Sequence, residues 1–212
     1  MPDSRLVYVM DPMCSWCWGF APVAQALIAQ AGAAGVDTRL MLGGLRSGAA
    51  ASLDATKRAY ILKHWAAVAE LTGQPFRFDD ALPSGFLYDT EPACRAVVVA
   101  RLIDESRALA LSQAIQKAFY VEGLDVTRPP TLLHVAEAAG LPRREFAELF
   151  DSQAAVDATQ RDFAWVQDLG IAGFPTLLAQ HNGQTALLTN GYQSLPELAP
   201  LLARWLERAA HP

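Results

Sequence analysis

Apolar and polar positions along this chain follow two different rhythms, and the change of rhythm divides it. Residues 5–10, RLVYVM, are dense in β-formers and stop at Asp11-Pro12, which predicts a short buried strand running into a turn. Over 16–34 the spacing turns helical: Phe20, Val23, Ala24, Leu27 and Ile28 recur three and four apart, and Gly32 and Gly35 supply an exit. Pro22 lies inside that run, where it removes a hydrogen bond and should bend the helix after its first turn. A second strand over 36–42, ending at Gly43-Gly44, closes a β-helix-β unit.

From Ser52 to Phe150 the pattern is almost wholly helical. Ser52 is placed to cap a helix carrying Ile61, Leu62, Trp65, Val68 and Ala69, with Gly73 as its end. Thr90 before Glu91-Pro92 marks another start, continued by Val97, Ala100 and Ile103. Residues 109–122 and 130–139 predict two more, stopped by Gly123 and Gly140, and 141–150 a short turn or helix. Strand grammar then returns. Ser152 opens a helix through Val156, Phe163, Val166 and Leu169 that Gly170 ends, and TLLAQ (176–180) and TALLT (185–189) flank a turn at His181-Asn182-Gly183 as an antiparallel hairpin. Ser194 and Glu197 form a capping box before a last helix presenting Leu198, Leu201, Leu202 and Trp205. This order predicts an α/β domain split in two, 1–48 and 152–212, by an inserted helical subdomain over 49–151.

Composition agrees with a compact protein. A chain of 212 residues buries roughly 70% of its unfolded surface, and 52% apolar against 18% charged residues excludes a disordered or rod-like chain. The formal charge is -5 and no basic run occurs, so nucleic acid is not an expected partner. No segment has 18 uncharged apolar residues, and the start, with Asp3 and Arg5, lacks a basic region followed by a long apolar one; a cytoplasmic protein off the membrane is expected.

Three cysteines are too few and too uneven for a disulfide scaffold. Cys14 and Cys17 sit between a strand and a helix with two residues between them, so their sulfurs can meet in the first helical turn, where free N–H groups stabilise a thiolate at the first. On this reading Cys14 is the exposed nucleophile and Cys17, one turn deeper, resolves the mixed disulfide. Two other readings stand beside it: half of a zinc site completed by Cys94 with His64 or His134, although a second close-spaced ligand pair is missing, and plain core cysteines. Cys94, within PACRAVVVA, reads as a packed core thiol. Asp11, three residues before Cys14, either accepts the resolving thiol's proton through water or caps the turn begun by Pro12. Trp16, Trp18, Phe20 and Phe174 either line an apolar groove or belong to the core. The loop of Gly43, Gly44, Arg46, Ser47 and Gly48 has neither phosphate-loop nor dinucleotide spacing and reads as a linker. His64, His134, His181 and His211 are scattered, outside any HExxH pattern.

The run DPMCSWCWGF, the helical block and GFPT at 173–176 together resemble the DsbA-like thioredoxin-fold family, most closely its cytoplasmic FrnE-type branch of dithiol-disulfide isomerases and oxidoreductases. The resemblance spans essentially the whole chain. It implies a thioredoxin-like fold with an inserted helical domain, Cys14 and Cys17 as the redox pair, and a cis bond at Phe174-Pro175. Pro175 and Asp11 then join the cysteines as catalytic candidates, and Ser15, Trp16, Trp18, Phe174 and Thr176 are the substrate-contacting candidates. Protein or small-molecule disulfides are the implied substrates, with no bound cofactor or metal and with glutathione or another cellular thiol as co-substrate. The periplasmic oxidant of the family has Pro-His between its cysteines; Ser15-Trp16 lacks that histidine, so a strongly oxidising potential is not implied and reductase or isomerase traffic is expected. The kappa-class glutathione transferases and 2-hydroxychromene-2-carboxylate isomerases are similar in architecture and supply the alternative reading, a glutathione-dependent transferase or isomerase, but they carry serine where Cys14 stands. A noncatalytic binding or chaperone module is the third.

Overall fold

The computed structural model describes residues 4–49 and 51–210; Asp3, His211 and position 50, near the expected subdomain boundary, lie outside them. The elements run β1 (Ser4–Met10), α1 (Ser15–Ala33), β2 (Asp37–Leu42), α2 (Ala55–Thr72), α3 (Glu91–Ile103), α4 (Arg107–Tyr120), α5 (Pro129–Ala138), α6 (Arg143–Phe150), α7 (Gln153–Asp168), β3 (Thr176–His181), β4 (Gln184–Asn190) and α8 (Leu195–Ala210). The sheet order is β2-β1-β3-β4. β1 pairs parallel with β2, in the register Arg5 to Asp37, and antiparallel with β3, while β3 and β4 form the antiparallel hairpin. This is the α/β thioredoxin-like fold with helices inserted between its two halves.

β1 is buried from Leu6 to Met10 because helices cover both faces of the sheet. Leu6, Tyr8 and Met10 face the side of α1 and α8, together with Leu40, Leu42, Leu177, Leu198 and Leu202. Val7, Val9, Met41 and Leu178 face Val166 of α7. The first of these clusters continues without interruption into the inserted helices, through Trp65, Phe119 and Phe146. α3 is buried along its whole Ala96–Ala100 stretch, as a helix apolar on every side must be.

Three details tie the inserted helices down. Pro22 cannot donate to the Trp18 carbonyl, and that carbonyl accepts instead from Gln74 Nε2 at 2.9 Å, so α1 continues through the proline. Gly19 lets α2 approach closely: a Cβ there would lie 2.6 Å from Val68 Cγ1. Arg101 of α3 forms a two-pronged ion pair with Asp162 of α7, at 2.9 and 2.8 Å, and also donates to the Leu40 carbonyl of β2 at 2.7 Å. Leu42 N–H donates to the same Asp162 carboxylate.

Some expected caps differ. Asp54, not Ser52, caps α2, accepting from Lys57 N–H at 2.7 Å, because the helix begins two residues later than the apolar spacing suggests. Thr90 precedes α3 but makes no side-chain cap; its hydroxyl accepts from Arg46 N–H. At α8 the Glu197 carboxylate accepts from both the N–H and the hydroxyl of Ser194.

Candidate active site

The chain leaves β1 at Met10 and turns at once, with Cys14 N–H donating to the Asp11 carbonyl at 3.0 Å. Cys14 is the N-cap of α1, in extended backbone (φ -86, ψ 116), and its carbonyl accepts the first helical bond, from Trp18 N–H. The turn ahead of it is pinned by the Tyr88 hydroxyl, which donates to the Met13 carbonyl at 2.5 Å. The following amides have no preceding helical carbonyl to bond, which leaves their partial positive charge at the Cys14 end of the helix.

Cys14 and Cys17 are both free thiols and near neighbours. Cys17 is fully buried, and burial, then the adjacent Cys14, push its thiol well above the ordinary cysteine range. Cys14 is less open than the sequence suggests, at 5% exposure, because the loop before β3 lies over it. Its thiol faces the Phe174 carbonyl at 3.7 Å. The Phe174-Pro175 bond is cis. Pro175 is buried and its carbonyl accepts from Gly191 N–H, while the buried Thr176 hydroxyl turns back to the Gly173 carbonyl and Asn190.

The loop after β2 is the seat of Phe174 rather than a plain linker. A Cβ on Gly43 would lie 2.0 Å from Phe174 Cζ, so only glycine leaves the ring its place. Gly43→Ala should displace the ring and loosen the Phe174 carbonyl over Cys14, at a stability cost of about 1–3 kcal/mol. Urea denaturation and disulfide turnover would measure both losses, and adding Phe174→Ala should restore stability but not turnover.

Asp11 is fully buried beneath the turn. Its Oδ1 accepts from Met13 N–H at 2.8 Å, and its Oδ2 from Leu45 N–H at 2.7 Å and from the Cys94 thiol at 3.4 Å. Burial raises the carboxyl above the usual carboxylate range; the Thr90 hydroxyl, the two amides and Cys94 pull it part of the way back. Cys94 is buried as a core thiol should be, yet it also belongs to this acid's shell.

Among the other candidates, the half-buried Trp16 packs against Tyr192, 6.2 Å between ring centres, and Ser15 is half-buried beside it. Trp18 points inward, stacked on Tyr120 with its indole N–H on the Pro75 carbonyl. Phe20 is wholly buried. Tyr192, which also meets Phe20 edge-on, was not marked by any pattern in the sequence. Among the described residues no three His, Cys, Asp or Glu side chains converge as metal ligands; His64 lies on α2 against Tyr60, and His134 is on α5. A cleft of about 640 Å³ lined by Arg5, Arg39, Arg161 and Trp165 contains none of the thiol-site residues.

A profile of the DSBA-like thioredoxin domain matches residues 5–203. The chain is similar to a candidate protein disulfide isomerase from Nitrosomonas europaea, with 41% identity and a TM-score of 0.90 over 99% of this chain and 100% of that one. It is also similar to the cytosolic disulfide reductase DsbM from Pseudomonas aeruginosa, with 30% identity and a TM-score of 0.80 over 97% and 100% of the two chains. DsbM has been solved with glutathione as well. A curated relative, the ClpXP adapter protein SpxH of Halalkalibacterium halodurans, is 23% identical over 179 residues, 80% of this chain, and the chain spans 56% of its length.

Proposed function

The chain belongs to the family of DSBA-like thioredoxin domains, and from that membership we propose that it is a thiol-disulfide oxidoreductase which reduces or isomerises disulfides through Cys14 and Cys17. The observation that carries the proposal is the asymmetry of the pair: Cys14 at the mouth of the site under the Phe174 carbonyl, Cys17 sealed beneath it and held protonated by its burial.

The chemistry follows from that asymmetry. The Cys14 thiolate attacks one sulfur of a substrate disulfide, the S–S bond breaks, and the first substrate thiolate leaves. Cys17 must then lose a proton, and the Asp11 carboxylate, close enough to disfavour a thiolate at Cys17, is the buried base available to take it. The Cys17 thiolate attacks the Cys14 sulfur, releasing the second substrate thiolate and leaving a Cys14-Cys17 disulfide; two electrons have passed to the substrate. Two thiols of the glutathione type restore the pair, the first forming a mixed disulfide with Cys14 and the second attacking the donor's sulfur. Glutathione as that thiol is supported by the glutathione complex of DsbM, and a cytoplasmic setting by DsbM's description as cytosolic. The half-buried Phe174 backbone and the Trp16-Tyr192 pair are the groups offered to a substrate chain, and Ser15 flanks them.

Insulin reduction driven by dithiothreitol or glutathione tests this reading when run beside glutathione conjugation to a chromogenic electrophile. Catalysed insulin precipitation without conjugation is the expected result. Conjugation without insulin reduction would assign the site to the transferase or isomerase class instead.

A further inference from the structure

We propose that Cys94 is a positioning residue of the redox site, its thiol donating to the Asp11 carboxylate from the inserted helical block. This rests on the role given to Asp11 above. The geometry is specific: Cys94 Sγ lies 3.4 Å from Asp11 Oδ2, both residues are fully buried, and they come from distant parts of the chain, the β1 turn and the first turn of the inserted helix α3.

The ionisable groups around Asp11 explain why one weak donor matters. Among the described residues, Cys14 at the cap of α1, Cys17 of α1, Tyr88 before α3, Cys94 and Glu91 of α3, and Tyr120 of α4 are the titratable neighbours, and none of them brings a positive charge. Of the cations around Asp11, Arg46 is spread over the Tyr88 ring at 5.3 Å and meets the site through its backbone, and Arg95 of α3 is taken up by Glu91 at 3.1 Å and by the Phe150 ring. Among the described residues the donors to the Asp11 anion are all neutral: the Met13 and Leu45 amides, the Thr90 hydroxyl and the Cys94 thiol. A buried carboxylate is sensitive to each donor it has, because no water can replace a lost one. Burial and the neighbouring carboxylate keep Cys94 itself protonated, so it donates throughout and does not compete as a nucleophile.

The sign follows. Removing the donor destabilises the Asp11 anion, so Asp11 holds its proton to higher pH and the Cys17 proton has an acceptor only above that pH. Cys94→Ala and Cys94→Ser vacate nearly the same volume, but only serine keeps a donor, which separates donation from packing. The experiment reads Asp11 directly, by the pH titration of its side-chain carboxyl carbon in selectively labelled protein, together with the pH profile of disulfide turnover. Cys94→Ala should move both the Asp11 midpoint and the acid limb of turnover upward by about half a unit to one unit, and Cys94→Ser should return both most of the way to wild type. An unmoved Asp11 midpoint in Cys94→Ala, or the same shift in both variants, would overturn the proposal. The carboxyl readout needs no turnover: a protein inactive on disulfides whose Asp11 midpoint still shifts in Cys94→Ala alone would refute the redox reading while leaving the Cys94 contact upheld.

Discussion

Cys14→Ser is expected to bring catalysed disulfide reduction down to background, a loss of roughly a thousandfold or more, because a serine hydroxyl offers no thiolate at neutral pH and cannot form the mixed disulfide. Cys17→Ser is expected to do something different. Its Cys14 still attacks, but nothing resolves the product, so the protein should accumulate covalently joined to substrate or glutathione at Cys14. Labelling should follow the same order: iodoacetamide reaches Cys14, the less enclosed thiol, before Cys17, which burial keeps protonated well into the alkaline range. Peptide mass mapping of alkylated and trapped species reads all three outcomes. Trapping through Cys17, or retained turnover in Cys14→Ser, would reverse the assignment of the two thiols.

Asp162→Ala should cost about 3–5 kcal/mol of folding stability, the usual consequence of leaving one partner of a buried ion pair alone. The Asp162 side chain is only 4% exposed and that of Arg101 13%, so the cleft beside them gives water only limited access to replace the lost carboxylate. Against a total stability of about 5–15 kcal/mol such a loss is a large fraction of what holds the fold. Replacing both partners with apolar residues should recover part of it, because the stranded charge is gone, but not all: Leu42 N–H and the Leu40 carbonyl each lose a bonding partner as well. Urea denaturation of the single and double variants measures both steps. A double variant no more stable than Asp162→Ala alone would show that the ion pair itself, rather than the stranded guanidinium, carries the energy.

Much of this architecture is legible in the sequence because local chemistry writes it there. RLVYVM followed by Asp-Pro marks β1 and its turn, the Gly stops end the helices near where they should, and CSWC between strand and helix locates the thiols. What the sequence hides are pairings that depend on three-dimensional closure. Cys94 reads as one more small residue in an Ala-Val helix, and only the packing of α3 under the β1 turn brings it to Asp11, 83 positions away. Asp162, in the charged stretch QRDFAW, gives no hint that its partner lies 61 residues earlier on α3. Gln74, an exposed-looking residue after a helix stop, satisfies the carbonyl that Pro22 abandons. Gly43 looks like loop composition until the Phe174 ring is found lying against it. Tyr192 follows a glycine in an unremarkable loop, and its place beside Trp16 comes from the way β4 ends.

The most direct measurement is a redox titration of the Cys14-Cys17 couple against glutathione, with the thiols remaining at each point counted by alkylation and mass. A single two-electron transition confined to these two cysteines is expected, with Cys94 free throughout. Its midpoint should fall near the cytosolic glutathione range of about -220 to -260 mV, where glutathione can restore the dithiol, and well below that of a DsbA-type oxidant, since the site has no histidine between its cysteines to favour the reduced thiolate. A midpoint near the roughly -120 mV of a DsbA-type oxidant, or a transition that consumes Cys94 in place of Cys17, would contradict it.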